Sequence, residues 1–300
     1  MNPISELSSA LSQAVAQVSP SVVRVEGRAR GSSSGLVWSA QGHIVTAEHT
    51  VQHDEGITVG FSDGATAEAR LVGRDPSTGV ALLEVKGKQL APPAWAEAGS
   101  LAVGQLALVV ARPGKSARAT LGVISALGAA GEAFRTPRGG KLDRYVETDV
   151  APRAGFSGGA VLTTEGKAVG LHTTGLLRDT ALVLTQGTLE RAVATLLAHG
   201  GARRGFLGIG TYPVRLPAAL EKQLGQGSGL LVVSVAADSP ADKSGVLMGD
   251  LLVSLAGQPV RHMGDLLGLL DEEHIGQDAP VKVVRAGESK DLRITIAARA

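Results

Sequence analysis

The sequence predicts two β-barrels followed by a smaller mixed α+β domain. Three observations carry that prediction. Twelve short β-like runs, broken by glycine and Asp-Gly turns, lie between Val22 and Thr185. They form two sets of six, and closely spaced short strands close into a sandwich or barrels. Beyond Gly200–Arg204, a Gly- and Arg-rich joint, strands alternate with a helical period.

The elements follow in order. Ile4, Leu7, Leu11, Ala14, Val15 and Val18 recur at helical spacing, with Asn2 and Pro3 suited to the N-cap and first turn. This helix stops at Ser19-Pro20, so residues 1–19 form an N-terminal helix. The first six strands are Val22–Val25, Gly35–Ser39, His43–Ala47, Ile57–Phe61, Thr66–Val72 and Val80–Val85. Ser62-Asp63-Gly64 makes a hairpin between two of them. The second six are Gln105–Ala111, Ala119–Leu127, Arg144–Thr148, Ala160–Thr163, Ala168–Thr173 and Ala181–Thr185. Thr188–His199 reads as a helix stopped by Gly200-Gly201. Residues 20–200 are therefore one domain and 205–300 another, about 95 residues long and large enough to fold alone. In the latter, Gly205–Ile209, Leu230–Val235, Leu251–Leu255, Val281–Val284 and Leu292–Ala297 are strands, and Met263–Glu272 is an amphipathic helix.

Composition narrows the function classes. With 29 basic and 28 acidic residues, nothing demands nucleic acid or an anionic membrane as partner. The absence of cysteine excludes disulfides, Cys zinc sites and thiol catalysis. No apolar run approaches the roughly 20 residues of a membrane span. Met1–Ser19 lacks a basic start followed by an apolar core, so it is not a signal peptide. A cytoplasmic location follows if the chain is complete. A periplasmic or membrane-anchored one follows if an N-terminal segment has been removed.

The chemistry concentrates in two motifs. Gly155-Phe156-Ser157-Gly158-Gly159 places a serine in a glycine-rich turn, and Thr46-Ala47-Glu48-His49 ends a strand on a histidine. A serine hydroxyl becomes a useful nucleophile when an imidazole takes its proton. A histidine alone is most often a surface or strand-end residue, and a serine in a glycine run is most often a turn. Their co-occurrence in a matching strand pattern outweighs both readings. His49 and His53 are four apart with Glu48 and Asp54 alongside, but a zinc-protease helix needs the glutamate after the first histidine. No metal or cofactor is expected.

Taken together, Val18–Val25, Gly31–Ser39, Gly42–His49, Asp75–Leu83, Thr148–Val161 and Gly229–Gly257 resemble the HtrA (DegP-type) family over nearly the whole chain. The resemblance implies an all-β trypsin-like double β-barrel followed by an α+β PDZ domain. It implies an HtrA-like serine endopeptidase acting on unfolded or exposed protein segments, its PDZ domain recognising C-termini. His49 maps to the general base, Ser157 to the nucleophile, and the N–H groups of Gly155 and Ser157 to the oxyanion hole. His172 and Thr173 map to one wall of the S1 pocket, with small or medium apolar P1 residues as the default preference. Phe206, Leu207, Gly208 and Ile209 resemble a PDZ carboxylate loop, with Met263, Leu267 and Leu270 on the opposite wall. Plain core packing is the competing reading for these apolar residues. The family also forms trimers, often through aromatic packing near the N-terminus. No aromatic precedes Trp38 here, so a homotrimer rests on the resemblance alone.

The chain departs from the pattern at two places. Where the family's third triad member, an aspartate, would stand, this chain has Gly79. A water or anion beside Gly79, or Glu48, Asp54 or Asp75, would then have to serve His49, although Asp75 also reads as a turn residue. Phe156 replaces a small polar residue and is expected to narrow the cleft. Two functions stay open: a serine endopeptidase of weakened activity, and a pseudoprotease that holds peptides as an adaptor or chaperone.

Overall fold

The computed structural model describes residues 2–97, 101–201 and 204–298. Contacts divide the chain into two units, Met1–Thr136 with Lys141–Ala202, and Pro137–Gly140 with Arg203–Ala300. The expected joint falls at this division, with residues 202 and 203 of it outside the described residues. The four residues 137–140 depart from the predicted boundaries.

The first unit opens with α1 (Pro3–Val18), capped by the Asn2 side chain accepting from the Ile4 N–H at 3.1 Å. Six strands then close a barrel in the order β1-β2-β3-β6-β5-β4. They are β1 (Val22–Glu26), β2 (Ser33–Val37), β3 (His43–Ala47), β4 (Ile57–Gly60), β5 (Thr66–Asp75) and β6 (Val80–Glu84). A second barrel takes β7 (Leu106–Ala111) and β8 (Arg118–Leu127). After a small ribbon of β9 (Phe134–Arg135) and β10 (Lys141–Leu142), it adds β11 (Val146–Thr148), β12 (Ala160–Leu162), β13 (Ala168–Thr173) and β14 (Ala181–Thr185). The order is β11-β14-β13-β12-β7-β8, so both predicted six-stranded barrels are present. α2 (Gln186–His199) follows and ends on Gly200 with φ +70°.

Strand alternation explains where the site lies. Ile44 and Leu83 fill the interior of the first barrel, and Val109, Val161 and Val183 that of the second. Their sequence neighbours, Val45, Leu82, Val110, Leu162 and Leu184, point the other way into one shared core. Both faces of these strands are buried, which is why the runs read as continuously apolar. Ala14 and Val18 of α1, with Leu189, Val193 and Leu196 of α2, pack on that shared core. At about 25 cal/mol per Å² of apolar area removed from water, this layer dominates the joining of the barrels.

In the second unit β15 (Gly205–Phe206) pairs with β22 (Ala297–Ala298). The main sheet runs β16 (Ile209–Arg215), β17 (Ser228–Val235), β18 (Leu251–Leu255), β20 (Asp278–Arg285) and β21 (Glu288–Thr295), with β19 (Gln258–Pro259) on β18. Two short helices, α3 (Ala218–Leu224) and α4 (Pro240–Lys243), escape the sequence pattern. The last helix, α5, covers Met263–Gly268 rather than Met263–Glu272. It starts on a capping box between His262 and Asp265, and the chain turns into a 3₁₀ segment at Glu272–His274. Asp250, with no side-chain exposure, is gripped by Arg285 at 2.7 and 2.8 Å. Among the described residues no helix is long and apolar enough to cross a membrane.

Candidate active site

Ser157 and His49 both lie in the first unit, on elements from different barrels. Ser157 sits in the turn between β11 and β12 and is 7% exposed. His49 lies in a single 3₁₀ turn, Glu48–Thr50, directly after β3. One segment touches both. The Thr174 hydroxyl lies 3.2 Å from that of Ser157. The next residue, Gly175, backs onto the His49 ring so closely that a Cβ there would lie 2.2 Å from Nδ1. The residues read as nucleophile and base therefore converge on the end of β13.

The turn carrying Ser157 is built for a close approach. Phe156 donates its N–H to the Arg153 carbonyl at 3.1 Å, and Gly155, third residue of that turn, has φ +81°. This is the signature of a type II turn, which needs glycine at that position. Ser34, on β2 of the other barrel, holds the turn from behind. Its hydroxyl donates to the Gly155 carbonyl at 2.7 Å and accepts from the Arg112 N–H at 2.8 Å. Its own N–H donates to the Ser157 carbonyl at 3.2 Å. Its carbonyl accepts from the Thr46 hydroxyl at 2.6 Å, on the strand that ends at His49. Ser34 is fully buried, so these bonds are shielded from water. Arg112, 3% exposed, extends the clamp by donating to the carbonyls of Val22, Lys115 and Ser19 at 2.8 to 2.9 Å.

Phe156 does not narrow the cleft. It is 4% exposed and packs into the interior of the second barrel with Val150 and Val161. Thr173 is buried, and its hydroxyl accepts from the Gly175 N–H at 3.3 Å. His172 is fully buried too, and neither ring nitrogen has a hydrogen-bond partner among the described residues. Burial, with a contribution from the charge of His49, pushes the His172 imidazole down to about 4.

The surroundings of Gly79 correct one expectation. No room for a water or anion lies along its side-chain direction, because a Cβ there would meet Leu176 Cδ2 and Cγ at 3.0 Å. Gly79 has φ +74°, and its carbonyl takes the Glu48 N–H at 2.8 Å. Asp75 is absorbed by its own turn, accepting from the Ser77 N–H at 3.0 Å, the Ser77 hydroxyl and the Thr78 hydroxyl at 2.5 Å. Asp54 pairs with Arg74 at 2.8 Å, its side chain 78% exposed. Both carboxylates are thus committed elsewhere. Sequence reasoning missed Ser34, Thr174, Gly175 and Leu176. Ser34 stood inside a matching motif but without a role. Nothing in the sequence pairs Leu176 with Gly79.

In the second unit, Leu207 is buried in the core, Gly208 has φ +81°, and Phe206 and Ile209 are half-buried. β16, which begins at Ile209, is the end strand of its sheet. Met263 is exposed and Leu267 half-buried, whereas Leu270 belongs to the hydrophobic core. For Leu270, core packing is the reading the structure supports. Among the described residues no group of three or more His, Asp or Glu side chains could hold a metal ion.

These features define a trypsin-like peptidase domain joined to a PDZ domain. The family models agree: a trypsin-like peptidase domain matches residues 33–171 and a PDZ domain residues 205–296. This pairing of a trypsin-like peptidase domain with a PDZ domain is shared with DegP-like homologues and HtrA-type structural neighbours. It is 34% identical over 274 residues to a probable periplasmic serine endoprotease, DegP-like, of Ectopseudomonas mendocina, covering 89% of this chain and 56% of that protein. A relative of the same description from Rhizobium meliloti is 32% identical, at 90% and 54% coverage. The chain thus spans about half the length of these curated relatives. A solved serine endoprotease from Yersinia pestis superposes with TM-score 0.73 at 26% identity, over 97% of this chain and 98% of that one. The HtrA-type protease AlgW with decapeptide gives 0.72 at 24% identity, over 97% and 99%, and at that identity speaks for the fold alone.

Proposed function

We propose that the chain is a serine endopeptidase of reduced power that cuts unfolded or exposed protein segments, with its PDZ unit recruiting C-termini. Ser157 is the nucleophile, His49 the general base, and the Gly155 and Ser157 N–H groups stabilise the oxyanion. The carrying observation is the Thr174–Gly175 segment, which meets the Ser157 hydroxyl on one side and the His49 ring on the other. Each oxyanion donor is worth about 3 kcal/mol in such sites. Losing the carboxylate behind the histidine costs about 10⁴ in turnover in a trypsin-like enzyme, which sets the scale of the weakening. In the PDZ unit, a peptide adds as a strand along β16, its terminal carboxylate held by the Phe206–Gly208 loop.

A second reading has a specific observation behind it. Leu176 fills the space a Gly79 side chain would take, as it would in a chain that has abandoned catalysis for peptide holding. A fluorophosphonate probe separates the two. The endopeptidase is expected to form a covalent adduct that Ser157→Ala abolishes, and to cleave casein slowly. An unlabelled wild type that still binds unfolded casein would instead make it a pseudoprotease.

A further inference from the structure

Five cations stand together on the first unit with no acid among them. Arg28 and Arg30 lie on the β1–β2 loop, Lys115 on the β7–β8 loop and Arg118 at its end, and Arg153 opens the turn that carries Ser157. Arg28 is half-buried and the other four are exposed. Residues 27–42, 111–131 and 150–164, which supply them, contain no aspartate or glutamate. Among the described residues Arg30, Lys115, Arg118 and Arg153 have no ion-pair partner. The acids that border these segments are occupied. Glu26 holds Arg24 at 3.2 Å and the Thr58 hydroxyl at 2.7 Å, and Asp149 accepts from the Val123 N–H at 2.7 Å. In a chain with 29 basic and 28 acidic residues, this is a local field and not a general excess.

The three segments meet at Gly155. A Cβ there would lie 2.4 Å from the Cβ of Pro113 and 2.9 Å from the Ser32 carbonyl oxygen. The Ser32 hydroxyl donates to the Pro113 carbonyl. Arg28 donates to the carbonyls of Gly31 and Ser32 at 3.2 and 3.0 Å, which restrains its guanidinium. Buried Arg112 donates to the Lys115 carbonyl at 2.8 Å, which fixes the backbone under that lysine. The cations therefore ride on an ordered frame, and little backbone freedom is lost when a partner binds.

We propose that this basic rim receives an acidic run of the polypeptide presented to Ser157. The inference rests on the reading of Ser157 as the nucleophile and adds the class of substrate. A carbonyl attacked by Ser157 must lie beside Gly155, where the three segments meet. An extended chain advances about 3.3 Å per residue, so residues a few positions from the attacked bond pass over the rim. Carboxylates there neutralise charges that otherwise repel one another, and the field of the rim speeds their arrival. Exposed charges gain modestly from any single pairing, so the effect needs the cations together and fades as salt screens them. A nucleic acid or an anionic membrane offers the same charge, but neither brings a peptide carbonyl to Gly155.

The test uses the full chain carrying Ser157→Ala, so that binding is read without turnover. Three fluorescent peptides of one length are amidated to deny the PDZ unit a free terminus. They carry Glu, Gln or Lys at every second position of an otherwise common unfolded sequence. At about 50 mM salt the Glu peptide is expected to bind at least about tenfold tighter than the Gln peptide, with most of the gap gone at about 500 mM. Arg30→Glu, Lys115→Glu and Arg153→Glu together should reverse the order in favour of the Lys peptide. Glutamine at the same three positions, in case the reversed variant fails to fold, should erase the preference. Lys222→Glu with Lys290→Glu, both in the second unit, should leave it intact. Equal binding of the Glu and Gln peptides, a Glu preference that survives the rim variants, or no binding of any peptide would overturn the proposal. Phosphatidylglycerol vesicles that bind the rim and are not displaced by the Glu peptide would overturn it too, and make the rim a membrane contact. Fluorophosphonate labelling of the wild type keeps the two readings apart. Labelling without a Glu preference sinks this inference alone. A Glu preference without labelling sinks the nucleophile and leaves the rim as the acidic-peptide site of a holding protein.

Discussion

Leu176 occupies the side-chain space of Gly79. A Cβ built on Gly79 would lie 3.0 Å from both Cγ and Cδ2 of Leu176, a buried residue of the shared core. Aspartate tolerates positive φ better than most residues, but at φ +74° it would still pay strain besides the clash. Gly79→Asp alone is therefore expected to destabilise the chain by about 1–3 kcal/mol and to gain little activity. Gly79→Asp combined with Leu176→Ala opens the space and should raise casein hydrolysis, up to the roughly 10⁴ that such a carboxylate is worth. A single Gly79→Asp variant that matches the double one in turnover would show that Leu176 is no obstacle.

The His49 ring depends on Gly175 having no side chain. A methyl group there would sit 2.2 Å from Nδ1 and 2.7 Å from Cε1. The imidazole is the movable partner, so Gly175→Ala should displace it while the barrels stay folded. The expected outcome is at least a tenfold slower fluorophosphonate reaction at Ser157 with a melting temperature within a few degrees of wild type. An undiminished labelling rate would mean that the ring has another working position.

Ser34→Ala should damage both stability and reactivity. The substitution removes the donor to the Gly155 carbonyl and the acceptor for the Arg112 N–H, leaving two buried backbone groups unpaired. Each costs about 1–3 kcal/mol, so chemical denaturation should show a loss of about 2–6 kcal/mol. The labelling rate should fall with it. A stability loss without a rate loss would detach Ser34 from the nucleophile loop.

His172 makes the first unit sensitive to acid. Its pKa falls from the ordinary 6.5 to about 4 in the fold, so the unfolded chain binds the extra proton between those values. Stability from this group is complete above about pH 6.5 and is lost progressively toward pH 4, by about 3 kcal/mol in all. His172→Leu should flatten that part of the stability-versus-pH curve relative to wild type. Parallel curves for the two proteins would show that His172 is not desolvated.

Much of this was legible in the sequence because strand periodicity and motif spacing are local signals. The two barrels, the turn carrying Ser157 and the histidine at the end of β3 follow from runs of a few residues. α4 was hidden in four residues, where Ser239-Pro240 reads equally as a turn. The predicted length of α5 failed because Leu270 continues the apolar spacing after Gly268 has ended the helix. The contacts that tune the site were not legible. Gly79 meets Leu176, and Ser34 meets Gly155, across long stretches of chain, and a single sequence carries no pairing signal at such distance. The misplaced Phe156 has a different origin: Val150 and Val161 lie close by in sequence, but that all three turn into one barrel interior is settled only once the barrel closes.

The clamp at Ser34 has a consequence for what the molecule can admit. The N–H and hydroxyl of Ser34, from one barrel, hold two carbonyls of the turn carrying Ser157, which belongs to the other. The barrels therefore cannot part like a hinge to admit a bulky protein without dismantling the turn that would cut it. If the chain cuts as proposed, folded substrates would have to be unravelled before they arrive.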